Sequence, residues 1–374
     1  MKRLTQLLAC LALLSLPDRS AAQDFERATA PRPLVFPRDH GSHPEFRTEW
    51  WYLTGWLAAP DEQQPAWGYQ LTFFRTAFGR SSATGPQRLS PLAVGDLVIY
   101  HGALSDVKAG RAYHAQRLSR PAAGWAWAAT DSLDVGLFGH RLHQRSDTNW
   151  DARFEVKGHE VHLQLSLAAP PLLHGRSPGL SLKGTQPGQA SYYYSLPRLQ
   201  TRAVVRRPGA DSAESWDGQS WFDHEFGSHQ LAKDVAGWDW FSVGLDDGSH
   251  LMVYLLRRRD GSFTPSSSGT LSLPDGTRHH LQAEDFILQT QDHWVSPRSG
   301  ARYPSAWTLH IPEYDLRLRV APLLADQEVD GAQTTGIVYW EGLCSFSGSR
   351  GDRALQGYGY VELVGYAAPL DGRF

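Results

Sequence analysis

Apolar and polar side chains alternate residue by residue along most of this chain. Clear runs of this kind occupy residues 67–73, 161–167 and 316–320. Such a run presents one face to a core and the other to water, as strands of antiparallel sheets do. Asp-Gly pairs, which suit tight hairpins, begin at residues 217, 247, 260, 275 and 330. Because no long amphipathic helix is evident beyond the N-terminal segment, the pattern predicts an all-β protein.

A weak internal repeat divides the chain into two halves. Residues 50–57 resemble residues 238–245, and residues 218–223 resemble residues 357–362. We expect the first member of each pair to open a half and the second to close it. A repeat at this long spacing indicates duplicated domains, and short strands without intervening helices favour closed barrels.

The repeat leads to a specific domain prediction. An N-terminal domain is expected at residues 23–230 and a C-terminal domain at residues 231–374. Each would be an antiparallel β-barrel of lipocalin type, and the two would pack together. A barrel of about eight strands has an interior that fits one small ligand.

The first 22 residues have the features of a secretory signal peptide. Lys2 and Arg3 precede an apolar run at residues 7–16, and small residues lead to a cleavage point after Ala22. We therefore expect a periplasmic or secreted protein. A lipid anchor through Cys10 is the alternative, although this cysteine lies inside the apolar run. Cleavage would leave Cys344 without a disulfide partner, and no later apolar run is long enough to span a bilayer.

Composition and charge narrow the classes of ligand. The net charge of −3 gives no support for nucleic-acid binding. The chain has 14 Trp, 14 Tyr and 15 Phe residues. These side chains commonly fill barrel interiors, and they can also line a cavity with aromatic faces. An apolar small molecule is therefore the expected ligand.

Three ionisable residues stand in a row in the aromatic segment 221–227: Asp223, His224 and Glu225. Strand alternation sends the two carboxylates to one face and the histidine to the other. Inward-facing carboxylates would have raised pKa values and could act as acids, whereas an inward-facing His224 would itself be the acid–base group. The two carboxylates and His224 can face one cavity only if a β-bulge interrupts the alternation. The alternative is that these residues have no catalytic role and form hydrogen bonds that join the two barrels.

Other chemistries have weaker support in the sequence. His40, His43 and Glu49 could join the 221–227 segment in a metal site, but His224 and His229 do not have the zinc-protease spacing. We therefore predict neither a metal nor a cofactor. The chain has no Gly-x-Ser-x-Gly elbow and no P-loop. An enzyme built on this chain is expected to be a lyase rather than a serine hydrolase.

Segments 36–52, 221–227, 237–241 and 359–366 together resemble the AttH-like family, which is related to the carotenoid 1,2-hydratases. The resemblance implies two lipocalin-like barrels. In the hydratases, which add water to a carotenoid double bond, the proposed catalytic groups include a His and a Tyr. His224 and Tyr254 match these two. Phe226 and Leu256 stand where the family would have a Trp and an Asp.

Three hypotheses follow for function. The first is acid-catalysed hydration of a carbon–carbon double bond in a lipid- or isoprenoid-like substrate, with Asp223, His224, Glu225 and Tyr254 as catalytic residues. The predicted ligand-binding residues are Trp50, Trp51, Trp221, Trp238, Asp239 and Trp240.

The second hypothesis, suggested by the resemblance, is a non-catalytic lipid-binding accessory of an envelope ABC transport system, with a transporter permease as partner. The third is a structural protein whose second barrel braces the first without a continuous cavity.

Overall fold

A computed structural model describes residues 25–78 and 95–370 of the chain. In these residues nearly all regular structure is β-strand, arranged in two large curled antiparallel sheets. The all-β fold class with two packed barrels is thereby confirmed. The proposed signal peptide, its cleavage point after Ala22 and Cys10 lie outside the described residues.

The first sheet is built from the N-terminal part of the chain and contains 13 strands among the described residues. Its longest strands, 17 and 14 residues, are β12 and β13. The strands are β1 (Thr48–Ala58), β2 (Trp67–Ala77), β3 (Asp96–Asp106), β4 (Arg111–Ser119), β5 (Ala126–Ala128), β6 (Asp134–Leu137), β7 (His140–Gln144), β8 (Asn149–Val156), β9 (His159–Leu167), β10 (Leu172–Leu173), β11 (Leu180–Leu182), β12 (Ala190–Arg206) and β13 (Glu214–Gly227).

The second sheet contains the remaining 10 strands of the described chain. They are β14 (Val235–Leu245), β15 (His250–Arg258), β16 (Ser268–Ser272), β17 (Arg278–Gln282), β18 (Ile287–Val295), β19 (Arg302–Ile311), β20 (Leu316–Pro322), β21 (Glu328–Gly331), β22 (Ile337–Arg350) and β23 (Arg353–Val364). Two short 3-10 helices complete the fold, η1 (Arg38–His40) and η2 (Pro312–Tyr314). None of the helices in the described ranges has the length and apolarity needed to cross a bilayer.

In both sheets the opening strand pairs with the closing strand. Strand β1 lies between β2 and β13, and strand β14 lies between β15 and β23. These four strands carry the repeated segments, so the repeat reflects a shared architecture. Each sheet curls towards a barrel, although its two end strands share no ladder in the described residues. The domain division at residue 230 stays a prediction.

Large side chains fill the inside of each barrel. Trp67 and Trp150 are buried in the first barrel, and Trp307 and Trp340 are buried in the second. We expected an interior with room for a ligand, but these aromatic side chains occupy that space. A cavity with aromatic walls lies elsewhere, between the two barrels.

The barrels meet through a third apolar cluster and through hydrogen bonds between polar side chains. Tyr52 and Trp221 of the first sheet pack with Trp240 and Tyr254 of the second. Hydrogen bonds also cross the interface, for example from the Trp240 indole nitrogen to the Tyr193 hydroxyl over 3.0 Å. The strands that form this interface are therefore buried on both faces, one towards a barrel core and one towards the other barrel.

Strand β20 offers a direct test of the alternating pattern. Leu318 is completely buried in the second core, whereas the adjacent Arg319 is exposed. Truncation of a buried leucine costs about 2–5 kcal/mol through lost burial and a residual cavity. We expect Leu318→Ala to lower the free energy of unfolding by that amount, measured by urea denaturation. The matched variant Arg319→Ala should change it by less than about 0.5 kcal/mol. Equal losses would contradict the assigned faces.

Candidate active site between the barrels

A cavity of about 110 Å³ lies at the interface of the two sheets. Aromatic side chains from both sheets form much of its wall: Trp50, Tyr52, Tyr193, Trp238, Trp240 and Tyr254. Four carboxyl groups also line it: Asp223, Glu225, Glu341 and Glu362. Apolar walls with a few polar groups are typical of small-molecule sites.

Strand register explains how the first barrel presents these residues. On the neighbouring strands β1 and β13, Trp50 lies opposite Glu225 and Tyr52 lies opposite Asp223. This ladder runs without a bulge, so both pairs point away from the first core and towards the second barrel. His224 points to the other side, as alternation requires.

Three side chains donate hydrogen bonds to the Asp223 carboxyl group. Its Oδ2 accepts a hydrogen bond from the Tyr193 hydroxyl at 2.5 Å, and its Oδ1 accepts one from the Trp221 indole at 2.6 Å. The Ser195 hydroxyl donates to Oδ1 as well. Burial raises the pKa of Asp223 to about 7, although these hydrogen bonds oppose the shift. A carboxyl group that is half ionised near neutral pH can both donate and accept a proton.

Glu225 and Lys183 form an ion pair beside Asp223. The Lys183 Nζ lies 3.2 Å from Glu225 Oε1 and 3.9 Å from the centre of the Tyr254 ring. Burial alone would lower the pKa of Lys183, but the Glu225 carboxylate outweighs this effect and the pKa is raised. Lys183 is therefore a fixed ammonium ion in the wall of the cavity. Tyr254 donates its hydroxyl to the Leu182 carbonyl oxygen at 2.9 Å.

The second barrel contributes two adjacent carboxyl groups. Glu341 on β22 lies directly opposite Glu362 on β23. Burial raises the pKa of Glu362 to about 7, although the Trp238 indole donates to its Oε2 at 3.0 Å. Burial and the neighbouring Glu362 raise the pKa of Glu341 well above its usual range. Two buried carboxyl groups this close do not readily ionise together.

His224 belongs to a separate buried network on the inner side of the first sheet. Its Nε2 lies 3.0 Å from Glu49 Oε1, and the same oxygen lies 2.8 Å from His43 Nδ1. His43 Nε2 contacts Asp39 at 2.9 Å, and Arg75 donates to Glu49 Oε2 at 3.1 Å.

This network includes the chain's candidate metal ligands among the described residues: His43, Glu49 and His224. Burial lowers the pKa of His43, but its two carboxylate partners more than offset this and the pKa is raised. Each ring nitrogen of His43 faces a carboxylate oxygen, and a nitrogen that donates its proton to that oxygen has no lone pair for a metal. The donor set therefore fits an ion-pair network better than a metal site.

The structure brings together six of the ten residues predicted for the site. Those lining the cavity are Trp50, Asp223, Glu225, Trp238, Trp240 and Tyr254. Trp221 supports Asp223 from the interface. Trp51 lies in the first core, where it stacks on His224 at 5.1 Å. Asp239 lies between Trp238 and Trp240 on β14, so its side chain takes the opposite face and accepts a hydrogen bond from Tyr366 at 3.0 Å. The functional roles of all ten stay predictions.

Several cavity residues were not predicted from the sequence. Glu362 aligns with Asp223 in the internal repeat, so the repeat contained a signal for it. Tyr52, Lys183, Tyr193 and Glu341 carry no comparable local signal. Their proximity arises only when the second barrel packs on the outer face of the first.

Two packed β-barrels with an aromatic-walled cavity between them define a double-barrel protein with a candidate site at the interface. A family model described as AttH-like matches residues 27–366. The chain belongs to the AttH-like family. The crystal structure given as AttH from Nitrosomonas europaea is 35% identical in sequence, with a TM-score of 0.80. The similarity covers 91% of this chain and 100% of that chain.

Two curated relatives are fungal enzymes. Kievitone hydratase from Fusarium solani subsp. phaseoli is 25% identical over 179 residues, which cover 46% of this chain and 49% of the relative. Dehydratase asqC from Emericella nidulans is 23% identical over 149 residues, covering 39% of this chain and 42% of the relative. The chain thus spans about half the length, or less, of the curated relatives it matches.

The raised pKa values predict how stability depends on pH. Below about pH 4, Asp223 and Glu362 are protonated in both the folded and unfolded chains. As pH rises towards 7, the unfolded chain loses these protons while the folded chain retains them, so the free energy of unfolding falls. We expect a fall on the order of a few kcal/mol attributable to the two groups, measured by urea denaturation across this range.

The double variant Asp223→Asn/Glu362→Gln should have a flatter pH dependence. Glu313→Gln, at an exposed position on η2, is the matched control and should keep the wild-type slope. Identical slopes for wild type and the double variant would show that neither carboxyl group is held neutral by burial.

Proposed function

We propose that this protein is a hydro-lyase that acts on an apolar, lipid- or isoprenoid-like molecule. It adds water to a carbon–carbon double bond, or forms such a bond by removing water. The observation that carries this proposal is Asp223, a carboxyl group with a pKa of about 7 in an aromatic-walled cavity. The names of the two fungal relatives, a hydratase and a dehydratase, support the same class of reaction.

The chemistry of hydration matches the groups in this cavity. One carbon of the double bond takes a proton, the other carbon takes the oxygen of water, and the proton released by that water returns to a base. Asp223 serves as the acid in its neutral form and as the base once ionised. The faces of Trp238 and Trp240 can stabilise positive charge that develops on the substrate. Dehydration follows the same path in reverse.

Hydrogen bonds hold the proposed acid in position. Trp240 of the second barrel donates to the Tyr193 hydroxyl, which in turn donates to Asp223. The carboxyl group is thus oriented by side chains from both barrels. Such support keeps a reacting group in place without reorganisation during the reaction.

The proposal also covers export of the protein, and lipid carriage is the alternative function. The N-terminal segment predicts that the reaction takes place in the periplasm or outside the cell. The same cavity would also suit a non-catalytic lipid carrier. That alternative predicts that a lipid-like molecule binds and is released unchanged.

Isotope-labelled water provides the test of function. The protein is incubated with a panel of isoprenoid alkenes and alcohols in H₂¹⁸O, and mass spectrometry detects gain of labelled water or its loss. We expect turnover by wild type and a fall of about 100-fold or more in Asp223→Asn, because the amide cannot transfer the proton. Hydration of a simple alkene begins with proton donation by neutral Asp223, so its rate should decline above about pH 7 as Asp223, which faces Glu225, Lys183 and Glu362, ionises.

Two further variants sharpen the result. Asp260→Asn changes an exposed carboxylate in a hairpin of the second barrel and should keep wild-type turnover. His224→Gln tests whether the reaction instead uses the inner face of the sheet. Full activity in Asp223→Asn, or binding of the whole panel without conversion by wild type, would contradict the proposal. The second of these outcomes would favour the carrier.

A further inference from the structure

Tyr52 and Glu341 face each other across the barrel interface. Tyr52 lies on β1 of the first barrel, and Glu341 lies on β22 of the second. Both side chains line the cavity, and Glu341 is 3% exposed. Among the described residues, neither the Tyr52 hydroxyl nor a Glu341 carboxyl oxygen makes a hydrogen bond of normal geometry, although the two side chains are close enough for each to shift the pKa of the other. Buried polar atoms usually make well-formed hydrogen bonds, so both O–H groups can turn towards a molecule bound in the cavity.

The cavity favours the neutral, hydrogen-bond-donating forms of both groups. Burial raises the pKa of Tyr52, and the nearby Glu341 raises it further. Burial and the adjacent Glu362 disfavour the charged form of Glu341 and raise its pKa well above the usual range. A protonated carboxyl group and a phenol each offer one O–H donor. Enzymes are known in which such a pair binds the oxygen of a carbonyl compound as it gains negative charge.

The position of this pair relative to Asp223 is set by the first sheet. Tyr52 and Asp223 are directly opposite each other on neighbouring strands, and both point into the cavity. The Asp223 carboxyl group also acts electrostatically on the Tyr52 hydroxyl. A substrate that extends from Tyr52 to Asp223 can therefore have its oxygen at one group and its reacting carbons at the other.

We propose that Tyr52 and Glu341 bind a carbonyl oxygen of the substrate, whose class is thereby a conjugated enone or the corresponding β-hydroxy ketone. This inference rests on the proposed hydro-lyase function and names the substrate of the same cavity. It assigns Tyr52 and Glu341 to electrostatic stabilisation, a role separate from the proton transfer by Asp223.

The reaction balances with the groups present. Asp223 as the carboxylate takes a proton from water as the water oxygen bonds to the β-carbon. The π electrons of the double bond move to form an enolate, whose oxygen is held by the two O–H donors. Asp223 then returns the proton to the α-carbon, which restores the carbonyl group and completes the addition of one water molecule. Dehydration of the β-hydroxy ketone reverses these steps.

The test uses a coloured enone, 4-(dimethylamino)benzylideneacetone, with the full-length protein. Its absorption moves to longer wavelength when the carbonyl oxygen accepts hydrogen bonds, because charge shifts from the amine towards that oxygen. We expect the bound probe to absorb at longer wavelength in wild type than in the double variant Tyr52→Phe/Glu341→Leu. Glu341→Gln keeps an N–H donor and should retain most of the shift.

Tyr314→Phe, on η2 and outside the cavity lining, is the control for loss of a tyrosine hydroxyl. This change should leave the absorption of the bound probe at the wild-type position. Equal absorption in wild type and the double variant would overturn the inference, as would failure of wild type to bind the probe.

The outcomes separate this inference from the proposed function. If labelled water is incorporated into simple alkenes, while the probe shows no dependence on Tyr52 or Glu341, the hydro-lyase proposal stands and the carbonyl site fails. If the probe shifts as expected but no substrate is converted, the carbonyl-binding pair stands and the catalytic proposal fails.

Discussion

The packing of one barrel's outer face on the other keeps a group of carboxyl side chains away from bulk water. Asp223 and Glu225 come from the first barrel, and Glu341 and Glu362 come from the second. On an isolated barrel these side chains would be on the outer surface, and the pKa values of Asp223, Glu341 and Glu362 would not be raised by burial. Burial of the interface therefore creates both the cavity and its acids, and the proposed chemistry depends on the two barrels being joined.

In this arrangement the strands at the interface must carry side chains that suit burial on both faces. Strands β1, β13, β14, β22 and β23 are buried on both faces, one towards a core and one towards the partner barrel. The two faces of β13 carry separate polar networks, with His224 on the inner side and Asp223 on the cavity side. The inner network consists of hydrogen bonds and ion pairs among Asp39, His43, Glu49, Arg75 and His224. On the cavity side, Tyr52 and Glu341 make no hydrogen bond of normal geometry, which is consistent with a site that binds a ligand.

The sequence was sufficient for the fold class and for part of the site. Single-residue alternation predicted the strands, and the repeat identified the strands that open and close each half. Alternation also predicted that the His224 side chain points to the other face of its strand from Asp223 and Glu225. The position of the cavity was not predictable, because the sequence does not show that both barrel interiors are filled. Glu341 and Lys183 could not be found either, since they join the site only through packing between distant segments. Asp239 was predicted to bind the ligand together with Trp238 and Trp240, but strand alternation points its side chain to the opposite face.

Membership of the AttH-like family fixes the architecture more firmly than the reaction, because one scaffold can support several chemistries. The central claim is that the barrel interface holds Asp223 close to half ionised at neutral pH. Carbon-13 NMR of protein labelled at the aspartate carboxyl carbon measures this directly. The account predicts a carboxyl signal that titrates near pH 7 in wild type and is missing in Asp223→Asn. If the signal lost in that variant titrates near pH 4, the carboxyl group is in contact with water and the account is wrong.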